Sequence, residues 1–574
     1  MRDWVQFHQS GEESVRMQPK KGLALHSPVW HAKLHLFPYY LVSYGFRKSR
    51  KLIGARYFNK GYGSIVGHLN SSFQTARDIE GHGTHTLSTA AGNFVPGANV
   101  FGNGKGTAKG GSPRARVAAY KVCWPAVGVN EGGCYEADIL AGFDVAISDG
   151  VDVLSVSLGG AIDEYSDDAI AIGSFHAFKK GITVVASAGN SGPGPGSGVS
   201  LSQKSLPARK FYPLISGARA KASNQSEEDA NLCKPGTLDS EKVKGKILNL
   251  AMAFLPTLMY FLLHTSSLQM VKLSFPTSIL PKLGTKPAPF MASFSSRGLI
   301  SLKNQSSSVI AAFTLATGPT DAAYDKRRIP FNTESGTSMS CPHVSGIVGL
   351  LKSLHPDWSP AAIRSAIMTT ATTRNNNGDP ILDSSNTRAT PFAYGAGHVQ
   401  PNRAADPGLV YDLTVNDFLN YLCSRGYTAK DLKLFTDKPY TCPESFSLTD
   451  FNYPSISAIN LNDTITVTRR VKNVGSPGKY YIHVREPTGV LVSVTPATLE
   501  FKKLGEEKTF KVTFKLAPNG SLKIIHLGYC HGPMTSNYAP LKARLVDLFV
   551  GLCVIVVDVK LAMELMVFLS FSLA

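Results

Sequence analysis

Between residues 115 and 190 the hydrophobic positions alternate between two periods. Arg116–Val122 is a short apolar run carrying valine and tyrosine, the pattern of a buried strand. Residues 136–148 place Ile139, Phe143, Ala146 and Ile147 three to four apart, on one helix face, and Asp149-Gly150 ends the pattern. A strand is predicted over 151–158 (VDVLSVSL), a helix over 168–180 and a strand over 182–188 (ITVVASA). This β-α-β-α-β order predicts a parallel sheet with helices on both faces, right-handed crossovers and ligands at the carboxyl ends of the strands. Those ends carry SLGG and AGNSG.

Further along, a helix is predicted from Gly336 to about Leu354, and a second from Pro360 to Ala371 with Ser359 as N-cap and Pro360 as first helical residue. Residues 200–290 lack this rhythm. They combine the strand-like KVKGKILNLA (242–251) with the apolar 254–263, and the pattern leaves open a separate inserted unit or a damaged core. From about Phe451 to Leu516 the period changes to short alternating strands (ITVTRRVKNV, YYIHV, VLVSV, TFKVTFKL) separated by turn residues, which predicts a small antiparallel sandwich. The apolar stretch 545–557 contains Asp547 and is followed by Asp558, Lys560 and Glu564. It falls short of the roughly 20 residues a membrane span needs, so the expectation is a buried or misassigned tail, not an anchor.

A length of 574 residues exceeds one core and predicts two to four units. With 43% hydrophobic and 17% charged residues the chain is not a disordered one. Its net charge of +18 comes from short scattered groups such as Arg47, Lys48, Arg50 and Lys51, without the basic tract and interleaved aromatics of a nucleic-acid binder. No nucleic-acid partner is expected, and the oligomeric state is not legible. The eight cysteines show no CxxC spacing and there is no HExxH helix, so no metal and no cofactor are expected and the chemistry falls to side chains. Sequons at Asn70, Asn224, Asn304, Asn462 and Asn519 suit a secreted glycoprotein, while the first residues, MRDWVQFHQSGEES, do not read as a signal peptide.

Two motifs carry the chemistry. In DIEGHGTHTLSTAAG, His82 sits among glycines before a predicted helix, where it is either a general base or a structural histidine. In ESGTSMSCPHVSGIVGLLKSLHP, Ser338 opens a helix, as a nucleophile helped by free N–H groups or as a plain cap. Asn190, at the end of a predicted strand, is an oxyanion donor or a turn residue. All three lie where such a fold gathers its ligands. His85, His343, His355 and Cys341 read as structural.

GHGTH around His82, SLG at 157–159, AGNSG around Asn190 and GTSMSCPHVSG around Ser338 resemble the signatures of the plant secreted subtilases, subtilisin-like serine proteases. RKLIGARYFNKGY (50–62), HPDWSPAAIRSAIMTTA (355–371) and YGAGHVQPNRAADPGLVYD (394–412) extend the resemblance over most of residues 46–516. It implies an extracellular endopeptidase acting on proteins or peptides through an acyl-enzyme. Ser338 would be nucleophile, His82 base and Asn190 oxyanion donor, with Ser155, Ser157, Leu158 and Gly159 binding an extended substrate. The implied organisation is a non-family segment over 1–45, a catalytic domain over 46–200 and 285–425, and a partial protease-associated insert over 201–284. A fibronectin-III-like sandwich follows over 445–525, with a non-family tail over 526–574. Cys123 with Cys134, and Cys423 with Cys442, are spaced for loop-closing disulfides.

The resemblance breaks at the acid. The family's apolar strand ending Asp-Thr-Gly has no counterpart before His82. Asp3 matches nothing, and Asp78 belongs to the loop-supporting part of the motif. Core material is also absent after Asn190 and between residues 298 and 309. The alternative expectation is therefore a non-catalytic remnant of the family.

Overall fold

The computed structural model describes residues 33–36, 51–127, 132–159, 164–192, 214–231, 237–243, 247–249, 286–296, 309–320, 325–459, 461, 463–487, 489–517, 526–530, 546–547 and 553–556. Asp3, the apolar stretch 254–263 and the sequons at Asn304, Asn462 and Asn519 lie outside these residues.

The parallel sheet expected from the alternating periods is present. Its strands are β1 (Lys33–Leu36), β2 (Leu52–Tyr57), β3 (Arg116–Lys121), β4 (Val153–Val156) and β5 (Thr183–Ala186), in the order β2-β3-β1-β4-β5. Helix α1 (His82–Ala91) precedes β3, α2 (Glu136–Ser148) follows it, and α3 (Ala169–Lys179) links β4 to β5. Asp168 caps α3 by accepting from the N–H groups of Ile170 and Ala171.

The middle of the sheet is occupied by a segment that sequence reading leaves outside the fold. β1 pairs in parallel with β3 (Leu34 opposite Val117) and with β4 (Leu34 opposite Val153). It thereby gives the backbone groups on the facing edges of those strands their partners.

Adjacent strand residues point to opposite faces, and each face has its own core. Ala118, Leu154 and Val184 pack with Ile139 and Phe143 of α2 and with Ala169 and Ala177 of α3. On the other face Val117, Val153 and Val185 meet α4 (Thr337–Leu354) and α5 (Pro360–Thr369), through Cys341, Val344, Val348, Ile363 and Ile367. α4 lies close against the loop before β3. A Cβ on Gly346 would sit 2.7 Å from the Gly111 Cα, and the Ser112 hydroxyl donates to the Gly346 carbonyl at 2.6 Å. That contact needs a residue without a side chain. An antiparallel pair, Val309–Ala312 with Phe331–Glu334, leads into α4.

Leu409–Val410 pairs with the first long strand of the C-terminal sandwich, Thr464–Asn473, which pairs with Glu507–Leu516 and through it with Val490–Thr495. Val467, Phe510, Val512 and Phe514 face inward against Tyr480 and Phe501. The tail contributes strands too: His526–Cys530 pairs with Val484–Arg485, and Cys553–Val556 with Ile456–Ile459. Sequence reading sets residues 526–574 apart because their pairing partners lie far away in the chain. Both expected disulfides, Cys123–Cys134 and Cys423–Cys442, are formed. Among the described residues no helix is long and apolar enough to cross a membrane.

Candidate active site

Ser338 is the second residue of α4, where the first N–H groups of the helix have no internal partner. The Asn190 side chain is fixed beside it. Its Oδ1 accepts from the Thr337 N–H at 2.9 Å and from the Thr337 hydroxyl at 3.0 Å. With the oxygen so engaged, the Nδ2 group remains as a donor next to the helix start, and it lies 3.7 Å from the position a Cβ on Gly336 would take. The turn carrying Asn190 is held by residues 294–296. Ser296 N–H donates to the Gly189 carbonyl at 3.0 Å, and Gly192 N–H to the Phe294 carbonyl at 2.9 Å.

His82 is the first residue of α1. Gly81 before it has φ +110°, and a Cβ there would fall 2.1 Å from the Phe313 ring, so the turn that presents the imidazole requires glycine. Asp78 builds this turn from inside. Its carboxylate accepts from the N–H groups of Glu80, Gly81 and Thr84 and from the Thr84 hydroxyl. The Thr314 hydroxyl donates to the Asp78 carbonyl, and Lys121 Nζ to the Arg77 carbonyl at 2.9 Å.

The His82 ring shares a cavity with Asp78, Lys121, Ser157 and Leu158. Burial among protein atoms lowers its pKa below 6.5, and the Asp78 charge opposes that shift. The residue keeps open surface toward the cleft, so water screens both influences. Among the described residues no carboxylate lies within ion-pair distance of the His82 ring. β1 is Lys-Leu-His-Leu, and no Asp or Glu occurs between Glu13 and Asp78.

Of the four residues expected to meet a substrate, Ser157 and Leu158 line the cavity beyond the end of β4. The Leu158 carbonyl accepts from the Ser187 hydroxyl at 2.9 Å. Gly159 is exposed, and a Cβ there would meet nothing within 4 Å. Ser155 reaches the cavity floor but is 2% exposed, and its hydroxyl accepts from Ser345 at 2.7 Å and faces Cys341. The Ser157 hydroxyl donates to the Ser338 carbonyl at 2.8 Å, which joins the strand end bearing the His82 cavity to the helix bearing Ser338.

Sequence reading did not single out Thr337, the anchor of Asn190. Its position one residue before Ser338, at the start of a helix, was the available signal. Cys341 is buried and its thiol pKa is raised by burial, as suits a structural residue.

His85, one turn beyond His82, is fully buried, and its Nε2 bonds the Val309 carbonyl at 2.8 Å. Burial, with His82 and His343 nearby, pushes its pKa down to about 4, and the Glu334 carboxylate at 4.0 Å is too far to offset this by a hydrogen bond. The unfolded chain binds this proton near pH 6.5 and the folded chain does not. This contribution to stability is therefore complete above pH 6.5 and declines as the pH falls toward 4, by about 3 kcal/mol in all. Urea unfolding at pH 7 and pH 4 measures it, and in His85→Gln the acid-induced loss is smaller by that amount.

Known proteins resemble this chain over most of its length. Residues 44–397 match the subtilase family and residues 450–531 a fibronectin type-III domain, the latter match including the strand His526–Cys530. Subtilisin-like protease SBT5.4 of Arabidopsis thaliana is 50% identical over 577 residues, covering 85% of this chain and 73% of the relative. Subtilisin-like protease SBT5.3 of the same plant is 50% identical over 553 residues, with 81% and 71% covered. Subtilisin-like protease Glyma18g48580 of Glycine max is 41% identical over 568 residues, again with 81% and 71% covered. The chain belongs to the subtilase family, the subtilisin-like serine endopeptidases.

Proposed function

We propose that this chain hydrolyses peptide bonds through an acyl-enzyme on Ser338, with a Ser–His pair in place of a full triad. The Ser338 Oγ attacks the scissile carbonyl carbon while His82 takes its proton. Asn190 Nδ2 and the Ser338 N–H receive the oxyanion, and His82 returns the proton to the departing amine. Water then attacks the ester by the same route and frees Ser338. An extended peptide lies along Ser157, Leu158 and Gly159 as an added strand.

The observation that carries this reading is the double anchoring of Asn190 Oδ1 by Thr337, which leaves its amide as a free donor beside the nucleophile. The two disulfides support an oxidising, extracellular setting. The family resemblance of 201–284 supports a partial protease-associated insert, within which Leu214–Ser216 pairs in parallel with Ile247–Asn249.

One observation favours a second reading, a peptide-binding remnant without turnover. The central strand β1 supplies no carboxylate to orient His82. Quenched-fluorescent peptides separate the two. The endopeptidase reading expects slow cleavage that Ser338→Ala abolishes. Peptide binding with no cleavage, or cleavage that survives Ser338→Ala, removes it.

A further inference from the structure

In a regular helix the Ser338 carbonyl would accept from the N–H of residue 342, but that residue is Pro342, inside α4, which has no N–H and whose ring crowds the carbonyl four residues back. The nucleophile's own carbonyl is thus left without its helical donor. The Ser157 hydroxyl donates to it at 2.8 Å. Ser157 lies just beyond β4, in the wall along which the proposed substrate runs, and the next carbonyl, of Leu158, is held from the other side by Ser187. Substrate wall and nucleophile are therefore joined by one side-chain bond at the position where the proline removes a backbone bond.

We infer that Ser157 is a positioning residue for the nucleophile: its hydroxyl replaces the helical bond that Pro342 denies the Ser338 carbonyl and so holds the start of α4 in register with the bound peptide. The inference deepens the acyl-enzyme reading and rests on it. It differs from a simple wall role, in which Ser157 would touch substrate alone. Without the hydroxyl the carbonyl is an unsatisfied acceptor in a half-buried site, and the first turn of α4 is free to shift.

A double-mutant cycle tests it in the full chain, with the unmutated protein, Ser157→Ala, Pro342→Ala and the double variant. Reaction of Ser338 with a fluorophosphonate is resolved into a binding constant and a maximal rate. Ser157→Ala is expected to lower the maximal rate about five- to tenfold, the equivalent of one net hydrogen bond, with the binding constant unchanged. Ser157→Thr, which keeps a hydroxyl, restores most of the rate. In the Pro342→Ala background the new N–H of residue 342 satisfies the carbonyl, so the same removal costs less than about twofold. A change confined to the binding constant, or an equal loss in both backgrounds, overturns the inference. If the unmutated chain does not react at all, it is the endopeptidase reading that fails. Thermal unfolding of the same proteins then still reads the bond: Ser157→Ala lowers the melting temperature with proline at 342 and leaves it nearly unchanged with alanine there, and equal shifts in both would overturn it.

Discussion

Asn190→Ala is expected to slow peptide hydrolysis by about 10²–10³-fold with little change in KM, the usual consequence of removing one oxyanion donor. The amide earns that weight because it is fixed before substrate arrives. Oδ1 is held at 2.9 and 3.0 Å by Thr337, and the supporting turn is clamped by Ser296 and Phe294. A donor already in place stabilises charge as it develops and does not need to reorganise, so the loss falls on kcat. The Ser338 N–H remains in the variant and keeps some stabilisation. Initial rates over a range of peptide concentrations separate kcat from KM, and a fall of less than tenfold in kcat would show that the amide does not meet the oxyanion.

His82→Ala is expected to cost only about 10²-fold, far less than the same change in a complete triad. In subtilisin, loss of the serine or histidine costs about 2 × 10⁶ in kcat, whereas loss of the aspartate alone costs about 3 × 10⁴. Triad residues act as a unit, so an imidazole that no carboxylate among the described residues orients has already lost most of what a base can give. The quotient of the two figures, about 10², is what remains for His82 to contribute. The order of importance is thereby reversed: the oxyanion donor matters at least as much as the base. A loss of about 10⁵-fold or more in His82→Ala would contradict this and show that a carboxylate does partner the imidazole.

Much of the architecture was legible wherever local pattern and tertiary role agree. Val153–Val156 is a run of four buried residues in which only Ser155 is polar, and a short, largely apolar run of that kind reads as a central parallel strand without reference to its neighbours. Ser359 with Pro360 marks a helix start by local chemistry alone, and the Ser359 hydroxyl does accept from the Ala362 N–H. β1 was not legible. Lys33–Leu36 has neither an apolar run nor turn signals, and it is a strand because β3 and β4 flank it with unfilled backbone groups. Thr498–Phe501 escaped for a related reason: two of its four residues are buried, and its partner Gly478–Tyr481 supplies the order.

The candidate site divides in the same way. His82, Asn190 and Ser338 stood out because glycine-rich turns and a helix start are local signals. The links between them, Thr337 to Asn190 and Ser157 to Ser338, cross 147 and 181 positions of sequence and are visible only in three dimensions. The proline at 342 was in plain sight, but it acquires meaning only once a distant hydroxyl is seen to occupy the carbonyl it leaves open.

The most direct test of the account is to treat the soluble, folded chain with a fluorophosphonate and map the adduct by mass spectrometry. One covalent adduct is expected, on Ser338, that forms slowly and fails to form after denaturation. A folded chain that carries no adduct, or carries it on another residue, would contradict it.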